Sequence, residues 1–378
     1  MRSLHNLLRT LCFGPVRGGL RLKADESAAA RHCCAPAHSK QPGPDRCAFN
    51  SVLCAAGCLL LALLALPPGA SAQAGAAGSP PHPYATRRAI LTPQVFAPGI
   101  ISTQDFDDYF TFTPDGRTIY FTKHSQNFGY GTIVVSRFQA GRWSAPEVVS
   151  FSGQYNDREP CLSPDGTKLF FASNRPLEGT KPKDVDIWVA EKTGDGWSAP
   201  RNLGSPVNTP GFDWHPSVAA DGTLYFASNR KAERENNNIY RARLSGGSYT
   251  AVELLDDAIN SARHDMHPSI SADGRTLLFV SEGRADSFGE DDLYVSYFRN
   301  GAWTPAKNLG PRINTKFYEY SARISPDGKY LFFCRGFGNL TRPQKRLNYR
   351  QLRRLLESPE NGLADIYQID LRAAGIEP

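Results

Sequence analysis

A short turn phrase recurs five times along the chain and limits the folds that it can adopt. Each copy has an Asp-Gly turn, usually preceded by Pro, and an apolar run follows the turn. The turn aspartates are Asp115, Asp165, Asp221, Asp273 and Asp327. Pro and Asp favour the early positions of a tight turn and Gly accepts the positive φ that closes it, so each copy predicts a β-hairpin. The spacings of 50, 56, 52 and 54 residues suit the blades of a β-propeller with their loops.

Each repeat contains more than the hairpin. The run after the second turn, residues 168–172, is apolar on both faces, which indicates a strand buried on both sides. Two more strand-like segments follow it, DIWVAEK at 186–192 and WSAPRNL at 197–203. The first has a counterpart in every repeat and the second in every repeat except the last. Four strands in each repeat predict an all-β fold, a β-propeller of four-stranded blades.

The two ends of the repeat region predict how the propeller closes. TPQVFAPGIIST at 92–103 matches TPAKNLGPRINT at 304–315, whereas the last repeat has no fourth strand after it. We therefore expect the N-terminal strand to complete the last blade, which removes sheet edges. This predicts five blades; six remain an alternative if a degenerate blade lies within 336–378. We expect the basic segment 345–357, which has helical periodicity, to be an insertion in the last blade.

The phrases NLGPRINTKFYEYSARISPDGKYLFF and EPCLSPDGTKLFFASNR resemble the WD40-like repeats of TolB-type β-propellers. They are similar to the versions found in exported bacterial envelope proteins, and the resemblance covers roughly residues 90–378. It implies the propeller fold and is weak for function, because this fold supports binding scaffolds, lyases and hydrolases alike. The chain before the repeats leaves no room for TolB's own N-terminal α/β domain, so a TolB role is not carried over.

The segment before the repeats has the features of an export signal. Residues 51–74 combine an apolar core, a Pro-Pro break and Ala-Ser-Ala before Gln73. We assign residues 1–72 to an N-terminal extension with a signal peptide, 73–90 to a linker and 91–378 to the propeller. A periplasmic or secreted protein without a membrane span is expected after cleavage, and a retained anchor is the alternative. A start of translation near Val52, with 1–50 untranslated, is a further hypothesis.

Charge and cysteine content narrow the function classes. Beyond residue 72 the chain carries 35 Lys and Arg against 34 Asp and Glu, which argues against a general nucleic-acid binder. Only Cys161 and Cys334 occur there, both in strand-like runs, so we expect buried thiols and no disulfide framework.

An acidic side chain stands eight residues before every turn aspartate, where the chain enters the first strand of the hairpin. These residues are Asp107, Asp157, Asp213, Asp265 and Glu319. A negative rim that attracts cations is one interpretation. Because the acid belongs to the repeat itself, we favour a structural role in which each carboxylate accepts backbone N–H groups of its loop.

The position six residues before the turn aspartate varies and is expected to face the mouth of a central channel. It holds Tyr109, Glu159, His215, His267 and Ser321. Two imidazoles and a carboxylate from consecutive repeats form a plausible set of ligands for a divalent metal. A resemblance to oligogalacturonate lyase, which is also a propeller with channel histidines on a metal, implies the same site. Pairing of each histidine with Asp213 or Asp265 is the alternative.

The favoured function is that of an envelope scaffold that binds a protein or a small or oligosaccharide ligand, without catalysis and as a monomer. The alternative is a metal-assisted carbohydrate-active lyase or hydrolase at the channel mouth. Asp108, Glu159 and Asp213 would be the carboxylates of a glycosidase, although the sequence does not give their separation. No nucleophile or phosphate-loop motif occurs in the sequence.

Overall fold

The structure is a computed structural model that describes residues 82–126, 128–179, 181, 183–230, 236–336, 338 and 343–377. The predicted extension and signal peptide (1–72) and the first part of the linker therefore lie outside the described residues. The described chain is almost entirely β-structure.

Short antiparallel strands succeed one another along the chain and pair into groups. The N-terminal strand is β1 (Gln94–Val95). The first group contains β2 (Phe106–Phe112), β3 (Thr118–His124), β4 (Gly131–Gln139), β5 (Arg142–Trp143) and β6 (Glu147–Val148). The second contains β7 (Asp157–Leu162), β8 (Lys168–Ser173), β9 (Asp186–Thr193), β10 (Gly196–Trp197) and β11 (Arg201–Asn202). In both groups the outermost strand is interrupted, so that two short pieces pair with the same third strand.

The remaining strands follow the same order. The third group contains β12 (Asp213–Val218), β13 (Leu224–Ser228), β14 (Asn238–Ser245) and β15 (Ser248–Leu254). The fourth contains β16 (Asp265–Ile270), β17 (Thr276–Glu282), β18 (Asp291–Arg299), β19 (Ala302–Trp303) and β20 (Lys307–Asn308). The fifth contains β21 (Tyr318–Ile324), β22 (Tyr330–Gly336) and β23 (Asp365–Asp370). One parallel residue pair, Asp291 with Tyr318, links the last two groups.

The N-terminal strand completes the fifth group, as the sequence predicted. In β1, Gln94 pairs with Gln368 and Val95 with Tyr367 of β23. The amide of Phe96 continues this pairing by donating to the carbonyl of Ile366 at 2.8 Å. The fold is a β-propeller whose first and last strands lie in one sheet. The blade count itself stays a prediction.

Successive residues of a middle strand pack into different cores, which explains the continuous apolar runs. In β8, Phe170 joins a buried cluster with Phe226 of the third group, whereas Phe171 joins one with Ile133 of the first group. Both phenylalanines are buried. Each middle strand is therefore covered on both faces by neighbouring groups, and each Phe buried in this way contributes about 2 kcal/mol or more of hydrophobic stabilisation.

The helical segment is shorter than predicted. Helix α1 runs over Tyr349–Leu356, between β22 and β23, and not over 345–357. Asn348 ends the preceding loop: its side chain accepts the amide of Gln351 at 2.9 Å while its own amide donates to the Gln351 side chain. This reciprocal capping fixes the first turn. None of the eight residues is buried. Within the described residues, no helix has the length and apolar content of a membrane-spanning segment.

Candidate functional site

The five variable positions of the sequence share an unusual backbone conformation. Each lies at a break in the pairing between the first two strands of its group. Their φ angles are 43° at Tyr109, 62° at Glu159, 52° at His215, 51° at His267 and 50° at Ser321. Positive φ is uncommon outside glycine, and a β-bulge changes the direction of the side chain at that residue. The bulge therefore turns five side chains toward a common point.

These five side chains line one small cavity, so the structure brings the predicted channel residues together. The cavity has a volume of about 20 Å³. A space of this size holds roughly one water molecule. We call these five positions the bulge layer.

Glu159 and His215 form the strongest contact of the bulge layer. The Oε2 atom of Glu159 accepts the backbone N–H of His215 at 2.7 Å, and Oε1 lies 3.3 Å from the imidazole Nε2. Nε of Arg158 lies 3.4 Å from the same Oε1. Burial alone would raise the pKa of the Glu159 carboxyl, but the charge and hydrogen bonds of His215, together with Arg158, lower it below its usual value.

Aromatic rings fill most of the remaining space in the bulge layer. The rings of His215 and His267 are stacked with centroids 3.6 Å apart, and Tyr109 is stacked on His267 at 5.5 Å. Burial, followed by the positive charges of His215 and Arg158, holds the pKa of His267 well below its usual value. His267 is therefore a neutral stacking partner at neutral pH.

This arrangement does not form the predicted metal set. The two imidazoles meet face to face, and Glu159 already contacts His215. Among the described residues, no group of three or more His, Cys, Asp or Glu side chains is placed to hold a metal ion. The arrangement of these side chains therefore does not support the metal hypothesis.

A second buried acid lies beside the bulge layer. The Oδ1 atom of Asp108 is 3.1 Å from Nε2 of His124, and its Oδ2 accepts the hydroxyl of Tyr320 at 2.9 Å. Burial raises the pKa of Asp108, and His124 opposes that rise. Of the carboxylates considered for a glycosidase, only Glu159 lines the small cavity, whereas Asp213 is paired with Arg230.

The five repeated acids are buried in ion pairs and do not line the small cavity. The pairs are Asp107–Lys123 at 2.6 Å, Asp157–Arg175, Asp213–Arg230 and Glu319–Arg335 each at 2.7 Å, and Asp265–Arg284 at 2.9 Å. Four of the acids also accept a backbone N–H from the residue four positions earlier. Their geometry is that of an internal brace for each loop.

The basic partners of these acids were not predicted from the sequence. In the third group, the Arg230 guanidinium also donates to the carbonyl of Val207 and lies over the rings of Phe226 and Tyr240, at 4.8 and 4.9 Å. The acid and its partner are 16 to 19 residues apart, depending on the repeat. A basic residue at this loose spacing after each acid was the available signal.

The turn-side end of the channel holds a larger cavity, of about 320 Å³, which we call the turn-side cavity. Its wall includes the residue four positions before each turn aspartate. These residues are Thr111, Cys161, Ser217, Ser269 and Arg323. Ser269 and Arg323 also line the small cavity, so the two spaces adjoin. This position was not predicted from the sequence as a site position, although its residue type varies among repeats as that of the bulge position does.

Comparison with known proteins identifies similar folds only among solved structures. No protein-family model and no curated protein matches the chain. TolB from Acinetobacter baumannii is 17% identical over 70% of this chain and 54% of its own, with a TM-score of 0.42. A putative TolB from Agrobacterium tumefaciens is 16% identical over 70% of this chain and 90% of its own, with a TM-score of 0.44. This chain thus spans about half the length of the Acinetobacter protein, and the likeness concerns the fold.

Proposed function

We propose that this TolB-like β-propeller is an exported, non-catalytic scaffold that binds its ligand in the turn-side cavity. The observation that carries this proposal is the difference between the two adjoining spaces of the channel. The bulge layer leaves about 20 Å³, whereas the turn-side cavity offers about 320 Å³. The second volume lies in the range of ligand-binding pockets in proteins.

The contacts of the bulge layer support binding over catalysis. The carboxylate of Glu159 is engaged by the amide and the imidazole of His215, and the His215 ring is stacked on His267. A substrate would have to displace these contacts before it reached either group. The turn-side cavity, in contrast, is walled by residues such as Ser217 and Ser269, whose backbones are held by pairing with Tyr225 and Leu278 of the adjacent strands. A preformed site of this kind loses little conformational entropy on binding.

The proposed location in the cell envelope rests on the signal-like segment 51–74, which lies outside the described residues. The ligand is a small molecule, an oligosaccharide or the end of an envelope partner's chain, and the scaffold acts as a monomer.

A panel of defined compounds tests the binding site. The melting temperature of the full chain is measured with carboxylates, phosphates, neutral sugars, amines and divalent metal ions. Ala272→Trp fills the turn-side cavity from its exposed lip, and Ala220→Trp is the matched control, because Ala220 has the same place in the preceding repeat but does not line the cavity. A ligand at about 100 times its Kd should raise the melting temperature by roughly 5 °C.

We expect at least one class to stabilise the wild type and Ala220→Trp but not Ala272→Trp. The proposal is wrong if no class does so, or if stabilisation is the same in Ala272→Trp. Stabilisation by divalent ions alone, abolished by His215→Ala with His267→Ala, would instead favour the metal-assisted enzyme.

A further inference from the structure

We infer that the turn-side cavity binds an anionic group, a carboxylate or a phosphate, against the guanidinium of Arg323. This inference rests on the proposed binding function and gives its ligand a chemical class.

The charge of the cavity is carried by Arg323. Within the described residues that line the cavity, Arg323 is the sole charged side chain. No described carboxylate forms an ion pair with Arg323, whereas Arg175, Arg230 and Arg335 each contact a carboxylate at 2.7 Å. A half-buried guanidinium without a counter-ion is unfavourable, because burial removes hydration that only an opposite charge replaces well. The missing partner can enter through the cavity.

Arg323 also retains hydrogen-bond donors. Its Nη1 contacts the Sγ atom of Cys161 at 3.5 Å, and its Nη2 reaches the carbonyl of Pro160 at 3.4 Å, both weak contacts. The Nε atom is buried and has no hydrogen-bond partner within the described part of the chain. A guanidinium has five N–H groups, so one N–H on each terminal nitrogen remains for a ligand, while the buried Nε–H adds to the cost of leaving this side chain without a strong partner. Paired N–H groups of this kind match the oxygens of carboxylates and phosphates.

Neutral donors on neighbouring strands complete the site. The Oγ atoms of Thr111 and Ser217 accept the amides of Leu162 at 3.2 Å and Ile270 at 2.9 Å, which leaves each hydroxyl proton for another acceptor. Ser269 stands at the same repeat position and lines the cavity as well. One cation surrounded by hydroxyl donors favours a ligand that supplies oxygen acceptors and a negative charge.

The rest of the wall is suited to an apolar body. Phe112, Leu162, Val218 and Ile324 line the same space. The turn aspartates near its lip are held by their own turns: Asp165 accepts the hydroxyl of Ser163 at 2.5 Å. A ligand with an anionic head and a small apolar body therefore fits the cavity.

Four benzene derivatives of nearly the same shape test the inference. Benzoate and phenyl phosphate are anionic, benzamide is neutral and benzamidine is cationic. Calorimetric titration measures their binding to the full chain, to Arg323→Gln and to the control Arg299→Gln, which removes an exposed arginine that pairs with Glu377. We expect an anion to bind the wild type at least tenfold more tightly than benzamide. Arg323→Gln should remove that preference and Arg299→Gln should keep it.

Two further variants cover the case in which Arg323→Gln unfolds. Arg323→Lys should retain a reduced preference for anions, and Ser269→Ala should weaken anion binding several-fold with an unchanged melting temperature. Whichever of benzoate and phenyl phosphate binds with the higher affinity identifies the preferred anionic group as a carboxylate or a phosphate.

The results separate this inference from the proposed function. If benzamide or benzamidine binds as tightly as the anions and Ala272→Trp abolishes that binding, the binding function stands and the anion inference is overturned. Anion binding that persists in Arg323→Gln overturns it as well. If binding of every probe is indifferent to Ala272→Trp, the proposed function itself is wrong.

Discussion

The carboxylate of Glu159 bridges two neighbouring inner strands, since it accepts the backbone N–H of His215 at 2.7 Å and lies 3.3 Å from the imidazole Nε2 of the same residue. Both residues have positive φ, so the contact joins two bulges. The hydrogen bond to Oε2 and the ionic contact at Oε1 make the pair a structural link between neighbouring strand groups.

Removal of this link should destabilise the protein strongly. Glu159→Ala leaves the His215 amide without its partner, and we expect the free energy of unfolding to fall by about 3–5 kcal/mol. Glu159→Gln keeps an acceptor oxygen and should cost about 1–2 kcal/mol. Urea unfolding measures both, with Ser321→Ala at the same repeat position as the control. An effect of Glu159→Ala no larger than that of Ser321→Ala would show that the link contributes little.

The ion pair between Asp213 and Arg230 allows a double-mutant test of the internal brace. Arg230→Met should lower the free energy of unfolding by about 3–5 kcal/mol, because the buried Asp213 then lacks its counter-ion. Adding Asp213→Asn should recover part of that loss, since the uncompensated charge is gone. Denaturant titration of the two single variants and the double variant gives the coupling energy. If the loss of unfolding free energy in the double variant equals the sum of the losses in the two single variants, the ion pair does not act as an internal brace.

The left-handed backbone at the bulge layer makes a prediction about residue type. Ser321 has a φ of 50°, so Ser321→Gly should leave stability unchanged or raise it by up to about 1 kcal/mol, whereas Ser321→Val should lower it by about 2 kcal/mol. Ala322→Gly, one residue along the same strand, should lower it by about 0.5–1 kcal/mol. Thermal unfolding measures the order of stability among these variants and the wild type. Equal losses for glycine at both positions would contradict strain at the bulge.

The buried Asp365 should make stability depend on pH. Burial first, then the charges of Asp107 and Glu360, raise the pKa of Asp365 to about 7, from a usual value of 3.8. The folded state favours the protonated acid, so this stabilisation is complete below pH 4 and is lost as the pH rises toward 7. Asp365→Asn keeps an acceptor for the Glu360 amide, which Oδ2 accepts at 2.6 Å.

We therefore expect Asp365→Asn to have nearly the same free energy of unfolding as the wild type at pH 4. At pH 8 its free energy of unfolding should be higher than that of the wild type by roughly 2–4 kcal/mol. The exposed Asp257→Asn is the control and should track the wild type across the range. A difference that is the same at both pH values would rule out titration of Asp365 as its source.

Local chemistry made much of the fold predictable from the sequence. The turn at Asp165, the doubly apolar strand after it and the match between residues 92–103 and 304–315 each depend on short-range patterns or on repetition. The convergence of Glu159 and His215 followed from their common place in the repeat. The bounds of the helix were less accurate, because the capping role of Asn348 shortened it by several residues.

The contacts within the site were less accessible to such reasoning. The stacking of His215 on His267 depends on the bulges that place both residues at positive φ. The residue types at these positions do not predict that backbone conformation. Arg323 was missed for a related reason. That no described carboxylate pairs with Arg323 becomes visible only when the strands are assembled and the arginines of the repeated ion pairs are seen to hold carboxylates.

The pairing of β1 with β23 has a consequence for the chain during its synthesis. Because β23 is made last among the described strands, β1 must remain without its neighbour until β23 has been synthesised. A polypeptide that terminates after β22 leaves β1 and β22 each with an open edge where β23 would pair, and such edges pair readily with other chains. Chains that lack β23 should therefore aggregate more readily than the full chain.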